Sequence, residues 1–155
     1  LKFIVDNNAG KLVTWLRMLG YDTLFFTGAD DRQMVSIALK EGRIILTQDT
    51  QVMNFGTVAN GRVKAVYIIS GEPESQIKQV IEALHLDTRS GLFSLCLKCN
   101  QPLKARTKEQ VQGRVPPHVF ETQDKFVECS KCRRIYWKGT HWEDMVRKLE
   151  KIKKG

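Results

Sequence analysis

The sequence predicts an α/β domain built on a parallel sheet with helices on both faces, followed by a small cysteine-bearing attachment and a C-terminal helix. Two observations point there. Short, nearly continuous apolar runs alternate with amphipathic stretches of about ten to thirteen residues, the pattern of strands buried on both faces and their crossover helices. After Leu86 the texture changes to a turn-rich link, Asp87-Thr88-Arg89-Ser90-Gly91, and all four cysteines lie beyond it. The expected division is a domain over 1–89 and an attachment over 90–155.

The first strand is Lys2-Phe3-Ile4-Val5, ending at Asp6. From Ala9 to Leu19, Leu12, Val13, Leu16 and Leu19 recur at helical spacing until Gly20 stops the pattern. Asp22 to Phe26 is the second strand, with Asp22 as the turn residue at its start. Asp30 and Asp31 open a second helix that carries Met34, Val35, Ala38 and Leu39 on one face and ends at Gly42. Arg43 to Thr47 is a third strand, just before Asp49. Residues 50–62 have no clear period and are expected to hold a short helix and an exposed loop. Lys64 to Ile69 is the fourth strand, and Glu74 to Leu86 a helix burying Ile77, Val80, Ile81 and Leu84. In the attachment, Thr140-x-x-Glu143 has the form of a capping box, so the last helix is expected to start near His141. Met145, Leu149 and Ile152 form its apolar seam.

Cys96-x2-Cys99 and Cys129-x2-Cys132 each place two thiolates on one edge of an ion, and two such turns complete a tetrahedral zinc shell. The 29 residues between the pairs leave room for a hairpin or loop within a zinc ribbon. Four thiolates close the shell to water and substrate, which makes this zinc structural rather than catalytic. The chain carries no charged-then-apolar leader, so a cytoplasmic location is expected, where thiols stay reduced and disulfides are disfavoured. A first residue that is Leu rather than Met fits a chain cut from a longer one.

With 42% hydrophobic and 27% charged residues and no apolar run of membrane-spanning length, the chain reads as a globular protein without a membrane partner. Its formal charge of +8 is unevenly spread. Residues 1–90 hold ten Lys+Arg against ten Asp+Glu, and residues 91–155 hold fifteen against seven. A basic attachment beside a neutral body suits a polyanion, most commonly nucleic acid. Arg133, Arg134 and their basic neighbours are interleaved with Tyr136, Trp137 and Trp142, a mixture suited to phosphate contact and base stacking.

Asp6 closes the first strand, Asp30 and Asp31 open the second helix and Asp49 follows the third strand. In an open parallel sheet such positions converge on the crevice beyond the carboxyl ends of the strands. So much negative charge in one place is tolerated when a hard divalent cation, Mg²⁺ or Mn²⁺, takes the oxygens. Bound there, such an ion activates water and polarises a phosphoryl group. For Asp30 or Asp31, helix N-capping is the competing role.

Phe3-Ile4-Val5-Asp6, Trp15-Leu16-Arg17-Met18-Leu19-Gly20-Tyr21-Asp22-Thr23, Arg43-Ile44-Ile45-Leu46-Thr47-Gln48-Asp49 and the cysteine pairs followed by Trp137-Lys138-Gly139-Thr140-His141 carry a resemblance. Together they resemble the PIN-like ribonuclease family named from the C-terminal region of the Mut-seven exonucleases. The resemblance implies a PIN-like three-layer α/β/α domain with a parallel sheet, then a zinc ribbon and a C-terminal helix. It also implies hydrolysis of RNA at an acidic Mg²⁺ or Mn²⁺ site. Under it, Asp6 and Asp49 ligate the metal, with Asp31, or its neighbour Asp30, as the third acid. Thr47 and Asn7 orient a water or a carboxylate, and Lys11 and Arg17 face the phosphate, with a structural role as the alternative for Arg17. His141 is a packing, capping or substrate-contacting residue. PIN-like domains often pair, so a homodimer is compatible with the resemblance.

Two departures favour a different reading, a non-catalytic RNA-binding scaffold with a degenerate site. Gln48 stands where a basic residue is expected, and a fourth well-placed acid is missing. A receiver-type phosphoacceptor domain also places acids after its first and third strands, but it wants paired acids at the first, and here Asp6 is followed by Asn7-Asn8.

Overall fold

The computed structural model describes residues 1–154. Its first sheet has four parallel strands, β1 (Lys2–Asp6), β2 (Asp22–Phe26), β3 (Ile44–Thr47) and β4 (Ala65–Tyr67), in the order β2-β1-β3-β4. Phe3 and Val5 of β1 pair with Thr23 and Phe25 on one side and with Ile44 and Leu46 on the other. The chain therefore reverses its direction of travel across the sheet between β1 and β3, which opens a crevice at their carboxyl ends.

Helices cover both faces. On one, α1 (Gly10–Met18) and α5 (Pro73–Leu84) pack Leu12, Leu16, Ile77 and Val80 onto Phe3, Val5 and Leu46. On the other, α2 (Asp31–Glu41) sets Met34, Val35 and Ala38 against Ile4 and Ile45. The period-2 strands divide their side chains between these two cores. Residues 50–62 hold two short helices rather than one, α3 (Thr50–Met53) and α4 (Gly56–Ala59), pinned to the second core by Val52. Gly42 ends α2 at φ 68°, a left-handed turn that glycine adopts freely.

The attachment is a three-stranded antiparallel sheet of β5 (Leu103–Arg106), β6 (Phe126–Cys129) and β7 (Ile135–Tyr136), in that order. Between β5 and β6 lie not a hairpin but two short helices, α6 (Lys108–Val111) and α7 (Pro117–Thr122), closed on a small core of Val111, Val119 and Phe126. Glu128 on β6 is 1% exposed and meets Arg106 at 2.9 Å, Arg114 at 3.1 Å and Arg133 at 2.6 Å. The hydrogen bond from Arg114, against the upward push of burial and with help from Arg106, holds its carboxyl at about 2.

The last helix, α8 (Thr140–Lys154), begins at Thr140, one residue before the expected start. The Glu143 N–H donates to the Gly139 carbonyl, so Thr140 lies inside the helix instead of capping it. A reciprocal capping box forms instead between Thr107 and Gln110 at the start of α6. Met145, Leu149 and Ile152 are buried in the α1–α5 core, so this basic helix leans on the first domain. Among the described residues no helix is long and apolar enough to cross a membrane.

The two parts are tied by polar and backbone contacts. Arg17 on α1 is buried, and its guanidinium donates to the carbonyls of Thr23, Leu97 and Lys98. Asn100 accepts from the Thr23 N–H and donates to Asp22, which also pairs with Arg43 at 2.9 Å. A Cβ on Gly20 would lie 2.3 Å from the Gly91 carbonyl oxygen, so the link can cross the end of α1 only over a glycine.

Candidate metal centres and active-site edge

The four cysteines are brought together. Their sulfurs all lie within 4.8 Å of one another, with Cys96 and Cys129 buried and Cys99 and Cys132 half-buried. Each pair has the same turn, in which the second cysteine's N–H donates to the first one's sulfur, at 3.4 Å for Cys99 and 3.5 Å for Cys132. The Tyr136 hydroxyl lies 3.2 Å from the Cys96 sulfur. Burial pushes the Cys96 thiol up, yet the Tyr136 hydroxyl and backbone N–H groups bring it to about 7. Cys99 is pushed by burial and its neighbouring thiols to about 12. One thiolate forms readily and the next resists, a repulsion that a divalent cation relieves. Soft sulfur donors in a closed set of four fit zinc.

At the carboxyl edge of the parallel sheet one hydroxyl links the Asp6 carboxylate to the backbone of Asp49. Thr47, buried at the end of β3, donates to Asp6 Oδ2 at 2.9 Å, and its oxygen accepts the Asp49 N–H at 3.0 Å. Asp6 itself is buried, while Asp49 is half-buried and caps α3 by accepting the Gln51 N–H at 2.8 Å. Of the adjacent pair, Asp30 is the N-cap of α2 and accepts the Arg32 N–H. Asp31, in the first turn, faces the other acids. Its carboxyl is raised by burial, by Asp49 and by the charges of Asp6 and Asp30. Among the described residues the cysteines are the group of potential ligands drawn within 4.8 Å, and the acids sit more loosely. Hard, crowded carboxylate oxygens suit Mg²⁺ or Mn²⁺, which keep waters in their shell and need no all-protein cage.

The remaining predicted site residues separate. Arg17 spends its donors on backbone carbonyls, so it takes the structural role and not the phosphate-facing one. Gln48 donates to the Ser70 carbonyl, which explains an amide there: it ties β3 to the loop before α5. Lys11 is exposed and lines a polar cleft of about 600 Å³ between α1, α5 and α8, together with His141, Lys148, Glu72 and Glu74. Arg133 is largely exposed but pairs with Glu128, and Arg134 is exposed beside it.

Sequence reasoning missed three residues at these centres. Lys148 and Glu74, 4.0 Å apart across the cleft, come together only when α8 packs on the first domain. Tyr136 was read as a stacking residue, and its hydroxyl proves to serve a cysteine. Its place four residues after Cys132 was the available signal.

Compared with known families, residues 1–149 match a family model described as Mut7-C RNAse domain. No curated protein and no solved structure matches the chain.

Proposed function

This chain belongs to the Mut7-C RNAse domain family, and on that premise we propose that it is a metal-dependent ribonuclease of PIN type. Its cut is made at the acidic edge of the parallel sheet, and the basic zinc ribbon helps to hold the RNA. The observation that carries this reading is the Asp6–Thr47–Asp49 chain at the switch point, with Asp31 crowded against it. Asp6, Asp49 and Asp31 would hold the Mg²⁺ or Mn²⁺. Bound there, the ion would activate a water, polarise the phosphoryl group and neutralise the departing oxygen.

The chain's own residues do the rest. Thr47 fixes the rotamer of Asp6 by donating to one of its oxygens, and the Gln51 N–H does the same for Asp49. Both carboxylates keep their other oxygen for a ligand. Asp30 stays on the backbone of α2 as its cap, leaving Asp31 to the site. Lys11, in the adjoining cleft, offers an ammonium to a phosphate beside the scissile bond. The unbridged thiols suit a reducing, cytoplasmic setting.

The second reading, RNA binding without hydrolysis, is favoured by the loose spacing of the acids and by Gln48 at a position that could have carried a cation. Metal dependence separates the two. A ribonuclease loses cutting when Mg²⁺ and Mn²⁺ are withheld, while a scaffold binds RNA regardless of the metal and of Asp49.

A further inference from the structure

A second cavity, of about 400 Å³, lies where the ribbon meets α8 and the end of α1, outside the acidic edge. Its walls are apolar and aromatic, with Phe93, Tyr136, Trp137 and Trp142 among them. Phe93 meets both Tyr136 and Trp142 edge to face, at ring separations of 6.3 and 6.1 Å, so the rings are braced before any ligand arrives. Lys138 lies 5.0 Å over the Trp142 ring, which puts a cation beside the aromatic wall. The surrounding attachment carries the whole positive excess of the chain.

Two features suggest what enters. His141 and Met145 line this cavity and also the Lys11–Lys148 cleft, so the two spaces flank the same first turns of α8. Met18 at the cavity and Lys11 at the cleft are separated by roughly 10 Å along α1, and Lys11 stands at the end of that helix nearest Asp6. In addition, the indole N–H of Trp142 is the one buried side-chain donor among the described residues without an acceptor. A carbonyl or ring nitrogen brought against this N–H gains a hydrogen bond and displaces no existing partner.

We propose that this cavity holds one unpaired nucleobase of a single-stranded RNA, whose backbone runs through the Lys11–Lys148 cleft to the acidic edge. The inference rests on the ribonuclease reading for the direction of the strand. An aromatic-walled cavity of this size accepts a flat heterocycle against a ring face, a contact every base can make, and Lys11, with Lys148 drawn from its pair with Glu74, meets the phosphates. The held base then sets the register, placing the cut a fixed few nucleotides away.

A series of short labelled single-stranded RNAs, each with one abasic position moved along the strand, tests this on the zinc-loaded protein. Affinity is read without added Mg²⁺ or Mn²⁺, and the cut position with Mn²⁺. One abasic position, a few nucleotides from the cut, is expected to weaken binding roughly tenfold. Trp142→Phe keeps an aromatic ring but removes the N–H with the pyrrole half of the indole, and is expected to weaken intact RNA about threefold. In Trp142→Ala the penalty for that abasic position should vanish. Equal affinity for every abasic strand overturns the proposal, as does an abasic penalty that persists in both Trp142 variants. RNA that is cut with no sensitive position removes the pocket and leaves the ribonuclease. An abasic-sensitive strand that is bound but never cut removes the ribonuclease and leaves the pocket.

Discussion

The two candidate metal centres differ in how far the protein alone completes them. At the ribbon, four sulfurs converge within 4.8 Å, and their turns are held by N–H···S bonds and a tyrosine hydroxyl. At the sheet edge, Thr47 ties the Asp6 carboxylate to the Asp49 backbone without closing a shell, and the Asp31 carboxyl is raised by burial and then by Asp49, Asp6 and Asp30. A closed shell of soft donors serves the fold. An open set of hard donors would leave positions for water and phosphate, and a divalent cation bound there would relieve the crowding.

The largest effect that contrast predicts is loss of zinc. The segment Leu97–Asn100, which overlaps the first ligand turn, accepts from Arg17 at the Leu97 and Lys98 carbonyls and from the Thr23 N–H at the Asn100 side chain, so its release should loosen both parts. Cys129→Ser, or stripping by a chelator, should lower Tm by more than about 10 °C. Calorimetry with zinc quantification checks it, and an unchanged first-domain transition would show the two regions to be energetically separate.

Next comes Glu128. Glu128→Ala removes the partner of three arginines that remain partly in water, with an expected cost of roughly 2 kcal/mol in urea unfolding. Because its folded carboxyl lies near 2, below the ordinary value of 4.5, the stabilisation is complete above pH 4.5 and is lost as pH falls toward 2. The variant's stability should be flatter across that window.

A smaller effect has the opposite sign. Asp31 carries a carboxyl raised above its ordinary 3.8, so the folded protein loses stability as pH rises from 3.8 through the raised value and stays at that lower level above it. Asp31→Asn should therefore stabilise the metal-free protein at neutral pH by about 0.5 kcal/mol. Added Mn²⁺ should stabilise the unsubstituted chain more than the variant and erase the difference. A thermal shift with and without Mn²⁺ reads it. The smallest effect belongs to the ribbon's surface: Arg134→Ala should weaken RNA binding evenly and lower the slope of log affinity against log salt by about one.

What was legible in the sequence was local. The strands and helices of the first domain follow from apolar periodicity, and Gly20 and Gly42 mark real stops. That Asp6 and Asp49 stand at the carboxyl edge was legible because the apolar strands that end beside them are, while the cap Asp49 makes on α3 and the Thr47 bond to Asp6 were not. Which of Asp30 and Asp31 caps the helix was not, since both precede it and only the placement of Asp49 across the crevice gives Asp31 its neighbour. Arg17 was obscure for a related reason, as its partners Leu97 and Lys98 lie some 80 residues away. The short helices α6 and α7 carry little periodicity and depend on the tertiary core of Val111, Val119 and Phe126. At Thr140 the local pattern was overridden by the Gly139 carbonyl, which takes the N–H that the capping box needs.

The central claim is that Asp6 and Asp49 form a metal-dependent cutting site. It is tested most directly by cleavage of labelled single-stranded RNA in Mg²⁺ or Mn²⁺, comparing the unsubstituted protein with folded, zinc-loaded Asp6→Asn and Asp49→Asn. The account predicts metal-dependent cutting that falls by at least about a hundredfold in each variant. RNA that is bound but left intact with either metal, or cutting that survives both substitutions, would contradict it.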